Sequence, residues 1–192
     1  MANYGMAFDY NLCINCRACE VACKEENNID LGAKNHRLWI QEENEPSGDF
    51  WDLDRSKNYF IQLQCQECED APCLKACPNR AIYKDDNGII RLHDEKCDLS
   101  LNCIKACPYN ARYVDEKQKI TDKCIFCADT RLAKGLDTTA CQITCPAKVR
   151  IFGDLDDPKS EISQVLKTRE HFQLHTHKKT KPKLYYLTKI MH

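Results

Sequence analysis

Residues 13–23 read Cys13-Ile-Asn-Cys16-Arg-Ala-Cys19-Glu-Val-Ala-Cys23, and three further cysteine groups repeat that grammar. The second is Cys65-x2-Cys68-x4-Cys73-x3-Cys77-Pro78, and the third is Cys97-x5-Cys103-x3-Cys107-Pro108. The fourth is Cys124-x2-Cys127-x13-Cys141-x3-Cys145-Pro146. Three thiols on one tight loop, with a fourth one helical turn later, is the spacing that holds cubane iron–sulfur clusters. Where two such groups pair, the fourth cysteine of each ligates the other group's cluster. Four groups therefore predict two pairs and four clusters.

The totals weigh against the other uses of cysteine. Fifteen cysteines stand among 192 residues. A disulfide scaffold is normally a shorter secreted chain with an even count, and bridges between cysteines three apart would be strained. Zinc needs only four ligands and no repeated C-x3-C-P ending. The net charge of -1 offers no basic footprint for nucleic acid. No run approaches the roughly 18 apolar residues that span a bilayer. The opening MANYGMAFDYNL has neither the basic start nor the apolar run of a signal peptide, and no twin-arginine pair follows. Hydrophobic residues make up 43% of the chain, but cysteine supplies much of that figure. With so thin a conventional core, the cluster-free chain is expected to be largely unfolded.

Residues 4–9 read as a strand entering the first loop, and Arg17–Glu26, free of Gly and Pro, as a short helix. His36–Gln41 and Tyr59–Gln64 alternate as strands do, and acidic Glu43–Asn58 between them reads as a surface loop. Trp39, Phe50 and Trp51 face either a partner or the core. Cys73–Cys77 begins a helix stopped by Pro78. Asn87-Gly88, between the β-rich ends of Ala81–Leu92, marks a hairpin, and Ala111–Val114 with Lys119–Thr121 a second. Val149–Phe152 reads as a closing strand and Ser160–His171 as a helix. The Lys/Tyr/Leu stretch Lys178–Leu187 either lies extended across a partner or ends as a solvated tail.

Cys73-Leu-Lys-Ala-Cys77-Pro78-Asn and Cys103-Ile-Lys-Ala-Cys107-Pro108-Tyr-Asn are near copies, so groups two and three pair. Groups one and four, outside them in sequence, most simply pair with each other. The expected fold is α+β: two ferredoxin-like units of bacterial 2[4Fe–4S] type, with short helices, β-hairpins, a loop insertion and an extended C-terminal tail. An outer unit takes residues 1–35 with 121–153, and an inner unit 59–120. Residues 36–58 are a strand and surface-loop insertion, and 154–192 a helix with a partner-binding tail.

Crossing the fourth cysteines gives the ligand sets. Cluster one takes Cys13, Cys16, Cys19 and Cys145; cluster two takes Cys23, Cys124, Cys127 and Cys141. Cluster three takes Cys65, Cys68, Cys73 and Cys107; cluster four is left with Cys77, Cys97 and Cys103. The empty corner falls at Ser100, midway between Cys97 and Cys103. Three outcomes stand open there: a [3Fe–4S] cluster, a [4Fe–4S] cluster held by the Ser100 alkoxide, or ligation by Asp98 or water. Oxygen donors suit this iron less well than thiolate, which favours the first. His175-Thr-His177 lacks a third ligand, and His36 and His93 read as ordinary surface or hydrogen-bonding residues. No Walker loop, dinucleotide glycine fingerprint or G-x-S-x-G is present, every thiol is committed, and no catalytic residue is assigned.

In this order the groups resemble the four-cluster electron-transfer subunits of the molybdopterin oxidoreductase (dimethyl sulfoxide reductase) superfamily. Length and local text are most similar to the iron–sulfur subunits of polysulfide and thiosulfate reductases. Cys13–Cys23, Cys65–Pro78, Cys107-Pro-Tyr-Asn-Ala-Arg112, Asp122–Arg131 and Thr180–Lys183 carry the resemblance. The family has a cysteine where Ser100 stands, and a related nitrate reductase subunit that also lacks one holds a [3Fe–4S] cluster. The resemblance implies a non-catalytic electron-transfer subunit docked on a molybdenum or tungsten catalytic subunit, with the Cys13 cluster nearest it. It further implies a membrane anchor exchanging with quinone in many such complexes. Co-export with the catalytic subunit would bring the chain to the periplasmic side, while some relatives work in the cytoplasm. The rival readings are a diffusing ferredoxin, a subunit of a hydrogenase or formate-oxidising complex, and a zinc-stabilised module.

Overall fold

Strand β1 (Tyr4–Phe8) carries three fully buried residues in a row, Met6, Ala7 and Phe8, so it must be covered on both faces. It pairs antiparallel with β8 (Arg150–Asp154), Met6 opposite Phe152, and parallel with β10 (Leu184–Leu187), Met6 opposite Leu184. The two-residue β9 (His171–Phe172) adds the outer edge, completing a sheet ordered β8-β1-β10-β9. At Gly5 a Cβ would lie 2.9 Å from the Lys183 carbonyl, so the close approach of β10's leading residue requires glycine there. The computed structural model describes residues 2–32, 35–43 and 59–188. Phe50, Trp51, the bulk of the predicted surface loop and the last four residues fall outside that range.

Short helices follow the cysteine loops: α1 (Ala18–Glu26), α2 (Pro72–Ala76), α3 (Asn102–Lys105) and α4 (Ala140–Ile143). Three two-stranded ribbons complete the framework. They are β2 (Leu38–Glu43) with β3 (Tyr59–Gln64), β4 (Ile82–Lys84) with β5 (Ile90–Leu92), and β6 (Tyr113–Asp115) with β7 (Ile120–Asp122). The hairpin predicted at Asn87-Gly88 forms, with Gly88 at φ 72° as the turn requires. Ten cysteines are buried, and all of them but Cys127 share one apolar core with the sheet and ribbons.

The C-terminal segment, expected as a partner-binding or solvated tail, packs into the main sheet. Most of residues 180–187 are interior, Lys181 being exposed: Leu184, Tyr186 and Leu187 are fully buried, and the Tyr186 hydroxyl donates to the Gln62 carbonyl at 2.7 Å. The Lys183 N–H donates to the Gln66 carbonyl at 2.8 Å, while its own carbonyl accepts from the Met6 N–H at 3.0 Å. The Glu69 and Asp70 N–H groups donate to the Lys181 and Thr180 carbonyls. One segment thus ties β1 to the second cysteine loop. The helix expected over Ser160–His171 is α5 (Glu161–Thr168), capped by the Ser160 hydroxyl. It stops early because Arg169 turns extended, reaching the Asp9 carboxylate at 2.5 Å and feeding β9.

Candidate metal centres

The four loops share one backbone irregularity. The residue two after the first cysteine of each group is left-handed: Asn15 at φ 53°, Glu67 at 44°, Leu99 at 56° and Phe126 at 53°. None is glycine, and each such residue costs on the order of 1–3 kcal/mol, strain that proteins keep at functional sites. The turn aims backbone N–H groups at sulfur: Phe126 donates to Cys124 Sγ at 3.5 Å. A second left-handed residue follows each Cys-Pro pair, at Arg80, Asn110 and Lys148, and the Ala81 N–H donates to Cys77 Sγ at 3.3 Å. Groups one and three match further, since left-handed Arg17 and Leu101 open α1 and α3. Ser100 therefore stands between Leu99 and Leu101 as Cys16 stands between Asn15 and Arg17.

Two thiol sets line cavities. Cys23, Cys124, Cys127 and Cys141 line one, walled by Met6, Leu38 and Phe126. Cys77, Cys97 and Cys103 line another together with Asp98 and Ser100. Cys13 lies within electrostatic reach of Cys145 and Cys16, and Cys68 of Cys73 and Cys107. All fifteen cysteines are free thiols. Among the described residues no group of His, Cys, Asp or Glu is arranged to hold a single metal ion. Thiols gathered from two separate cysteine groups on one site, with no single-ion arrangement, suit a multi-atom cluster, so the donor set fits iron–sulfur chemistry. Burial pushes the Cys19 and Cys68 thiols up to about 12 and holds Cys65 and Cys124 well above the ordinary range. At neutral pH such thiols become thiolates only when iron displaces the proton.

Exposure runs along the sets. Cys16 is exposed and Cys13 half-buried, while Cys23, Cys124, Cys127 and Cys141 are all buried. Cys65, Cys68 and Cys73 are buried, and Cys77 and Cys97 half-buried again. The Ser100 corner is solvent-facing. Its N–H donates to Asp98 Oδ1 at 3.0 Å, and with the Ser100 hydroxyl holds that carboxyl below its ordinary range.

Spacing alone does not reveal the groups packed around the sulfurs. Asn27 Nδ2 reaches Cys23 and Cys127 Sγ at 3.8 and 3.9 Å, and the Thr139 hydroxyl Cys141 Sγ at 3.3 Å. Thr180 bonds the Tyr109 hydroxyl at 2.5 Å beside Cys68. His93 stacks on Tyr83 at 4.3 Å, and His175 and His177 meet edge to face. Trp39, half-buried, packs edge-on against His36 at 4.7 Å. Among the described residues no helix is long and apolar enough to cross a membrane.

A family profile described as a 4Fe-4S dicluster domain matches residues 56–155. The B subunit of the polysulfide reductase of Wolinella succinogenes is 43% identical over 183 residues, covering 95% of this chain and 92% of its own. The thiosulfate reductase electron transfer subunit of Salmonella typhi is 36% identical over 170 residues, covering 88% and 84%. The arsenate respiratory reductase iron–sulfur subunit of Shewanella sp. strain ANA-3 is 31% identical and covers 95% of both chains. With ferredoxin-type loops, sulfurs gathered around cavities and these relatives matched over most of its length, the chain belongs to the iron–sulfur electron-transfer subunits of the molybdopterin oxidoreductases.

Proposed function

We propose that the chain relays electrons through four clusters in a row, three [4Fe–4S] and one [3Fe–4S], between a molybdopterin catalytic subunit and a second redox partner. The observation that carries this is the convergence of Cys23 from the first group with Cys124, Cys127 and Cys141 from the fourth on one cavity. By the same crossing, Cys145 completes the set of Cys13, Cys16 and Cys19, and Cys107 that of Cys65, Cys68 and Cys73. A bound cluster supplies one-electron acceptance and release. The chain's own part is position, insulation and potential. Its thiolates fix the sites, loop N–H groups donate to sulfur, and Phe126, Met6 and Leu38 keep water from the second set.

A fully buried second set, and a third buried but for Cys107, between sets with an exposed Cys16 and half-buried Cys77 and Cys97 support a path that enters and leaves at the termini of the row. Leu12, Ile14 and Val21 expose apolar side chains around Cys16, and Ile143 on neighbouring α4 adds to them. An apolar patch of this kind suits a permanent partner, and we assign the catalytic subunit to it. The far end, at Cys77 and Cys97, then serves a membrane anchor exchanging with quinone, on the periplasmic side after co-export. A brown 22 kDa species alone on gel filtration from the native host would instead support a free carrier.

Two measurements test the ligand sets. Cys145→Ala should abolish the EPR signal of the Cys13–Cys19 cluster while the Cys124–Cys141 cluster remains; the reverse loss would sink the crossed assignment. The anaerobically purified, oxidised chain should show a [3Fe–4S] signal and about 15 irons, and S100C should erase that signal and bring iron to about 16. A silent oxidised spectrum with about 16 irons in the parent chain would mean that an oxygen ligand retains the fourth iron.

A further inference from the structure

The sequence repeats one feature that ligation does not use. Cys107-Pro-Tyr-Asn-Ala-Arg112 and Cys145-Pro-Ala-Lys-Val-Arg150 each place an arginine five residues after the cysteine, just past the left-handed Asn110 or Lys148. Both arginines are interior, 5% and 4% exposed. In both, Nε and Nη2 are buried and lack a hydrogen-bond partner of good geometry in the chain. Buried donors of a group that never loses its charge are costly to leave unmade.

Their neighbours are sulfurs from two different sets. Arg150, its guanidinium 5.3 Å from the centre of the Phe8 ring, acts electrostatically on Cys13 and Cys19 of the first set and on Cys141 of the second. Arg112 feels Cys73 and Cys65 of the third set and Cys103 of the fourth. Its Nη1 also meets Thr121 Oγ1 at 3.5 Å, and that hydroxyl in turn contacts Cys103 Sγ. The remaining gap, between the second and third sets, holds a third buried cation. Lys123, 3% exposed, pairs with Glu67, donates to the Cys124 carbonyl at 2.7 Å and lies within reach of Cys65.

We propose that the three gaps between successive clusters are each filled by one buried cation, Arg150, Lys123 and Arg112, and that each arginine donates Nε and Nη2 to sulfur on both sides, setting the potentials of the two flanking clusters together. A cluster carried on thiolates is an anion in the interior, and every electron it accepts adds negative charge. A fixed positive charge between two such centres offsets that burial and favours the reduced form of both. Lys123 differs because Glu67 already balances it, so the arginines are the tuning positions.

The inference rests on the crossed ligand sets, and iron content separates the two failures. In the complex as purified, R112Q should keep wild-type iron and lower the midpoints of two centres, those holding Cys73 and Cys103. The reduction equilibrium of each should fall tenfold or more, about 59 mV for a one-electron centre. R150Q should shift the other two, and R112K should restore most of the loss. Wild-type iron with no shift, a shift of one centre only, or an equal shift in R112K overturns the proposal. If R112Q fails to retain iron, the same question goes to the wild-type complex labelled with 15N-arginine. Pulsed EPR should then find guanidinium nitrogen coupled to both flanking centres, lost in R112K, and its absence overturns the proposal.

Discussion

Ending the chain at Lys179 should leave no folded, iron-containing protein. The deletion removes β10 from the middle of the main sheet, where Leu184, Tyr186 and Leu187 are fully buried between β1 and β9. Emptying a core position of Leu or Tyr size costs about 2–5 kcal/mol each, and three of them meet or exceed the roughly 5–15 kcal/mol that holds a domain of this size together. The deletion also strips partners from buried backbone: the Met6 N–H loses the Lys183 carbonyl, and the Glu69 and Asp70 N–H groups lose Lys181 and Thr180. Far-UV circular dichroism and iron analysis of the truncated chain decide the matter. Full iron with an unchanged melt would return the segment to the role of a detachable arm. A gentler variant isolates one contact. Tyr186→Phe keeps the ring stacked 5.3 Å from Phe172 but leaves the buried Gln62 carbonyl without its donor, and should cost about 1–3 kcal/mol.

That tail is also where the sequence misleads. Lys178, Lys179, Lys181 and Lys183 make the stretch look solvated, yet Lys183 is buried, its ammonium seated over Gly88, donating to the Gly88 carbonyl at 3.4 Å and reaching Glu69 at 3.4 Å. The β-rich Leu184-Tyr-Tyr-Leu187 was the available signal, and the preceding charge obscured it. Strand β3 forms over the residues whose alternation predicts it, but the alternation does not say what it buries: Gln62 and Gln64 lie inside with Ile61, Gln62 Nε2 meets Met6 Sδ at 3.6 Å, and the two amides bond each other. A strand pressed between the main sheet and the cysteine loops has no solvent side for a simple two-face rule to detect. The cysteine groups, their helices and both short hairpins are legible because spacing and turn chemistry act locally. Arg112, Arg150 and Glu67 are not, since what makes each unusual is the long-range packing that removes water from around it.

Glu67→Gln and Lys123→Met should each destabilise the chain by about 3–5 kcal/mol, the range for breaking a buried ion pair from one side. Glu67 is 0% and Lys123 3% exposed, so neither charge has water to fall back on. The pair also fastens three pieces. Glu67 sits at the left-handed turn of the second cysteine loop and accepts the Ile90 N–H of the β4–β5 hairpin at 2.7 Å. Lys123 leads into the fourth group through the Cys124 carbonyl. The two single changes should not be equal. With iron bound, Glu67→Gln leaves Lys123 facing the Cys65 thiolate, which compensates part of its charge. Lys123→Met instead leaves a carboxylate beside that thiolate with no cation, so it should fall at the upper end of the range. Joining both changes removes the charges together and leaves neither one buried without its partner, so the double variant should recover most of the loss. Thermal melts of the four proteins at equal iron content close this cycle. Additive losses in the double variant would mean that each residue matters for its shape and its backbone bond, and that the pairing of their charges contributes nothing.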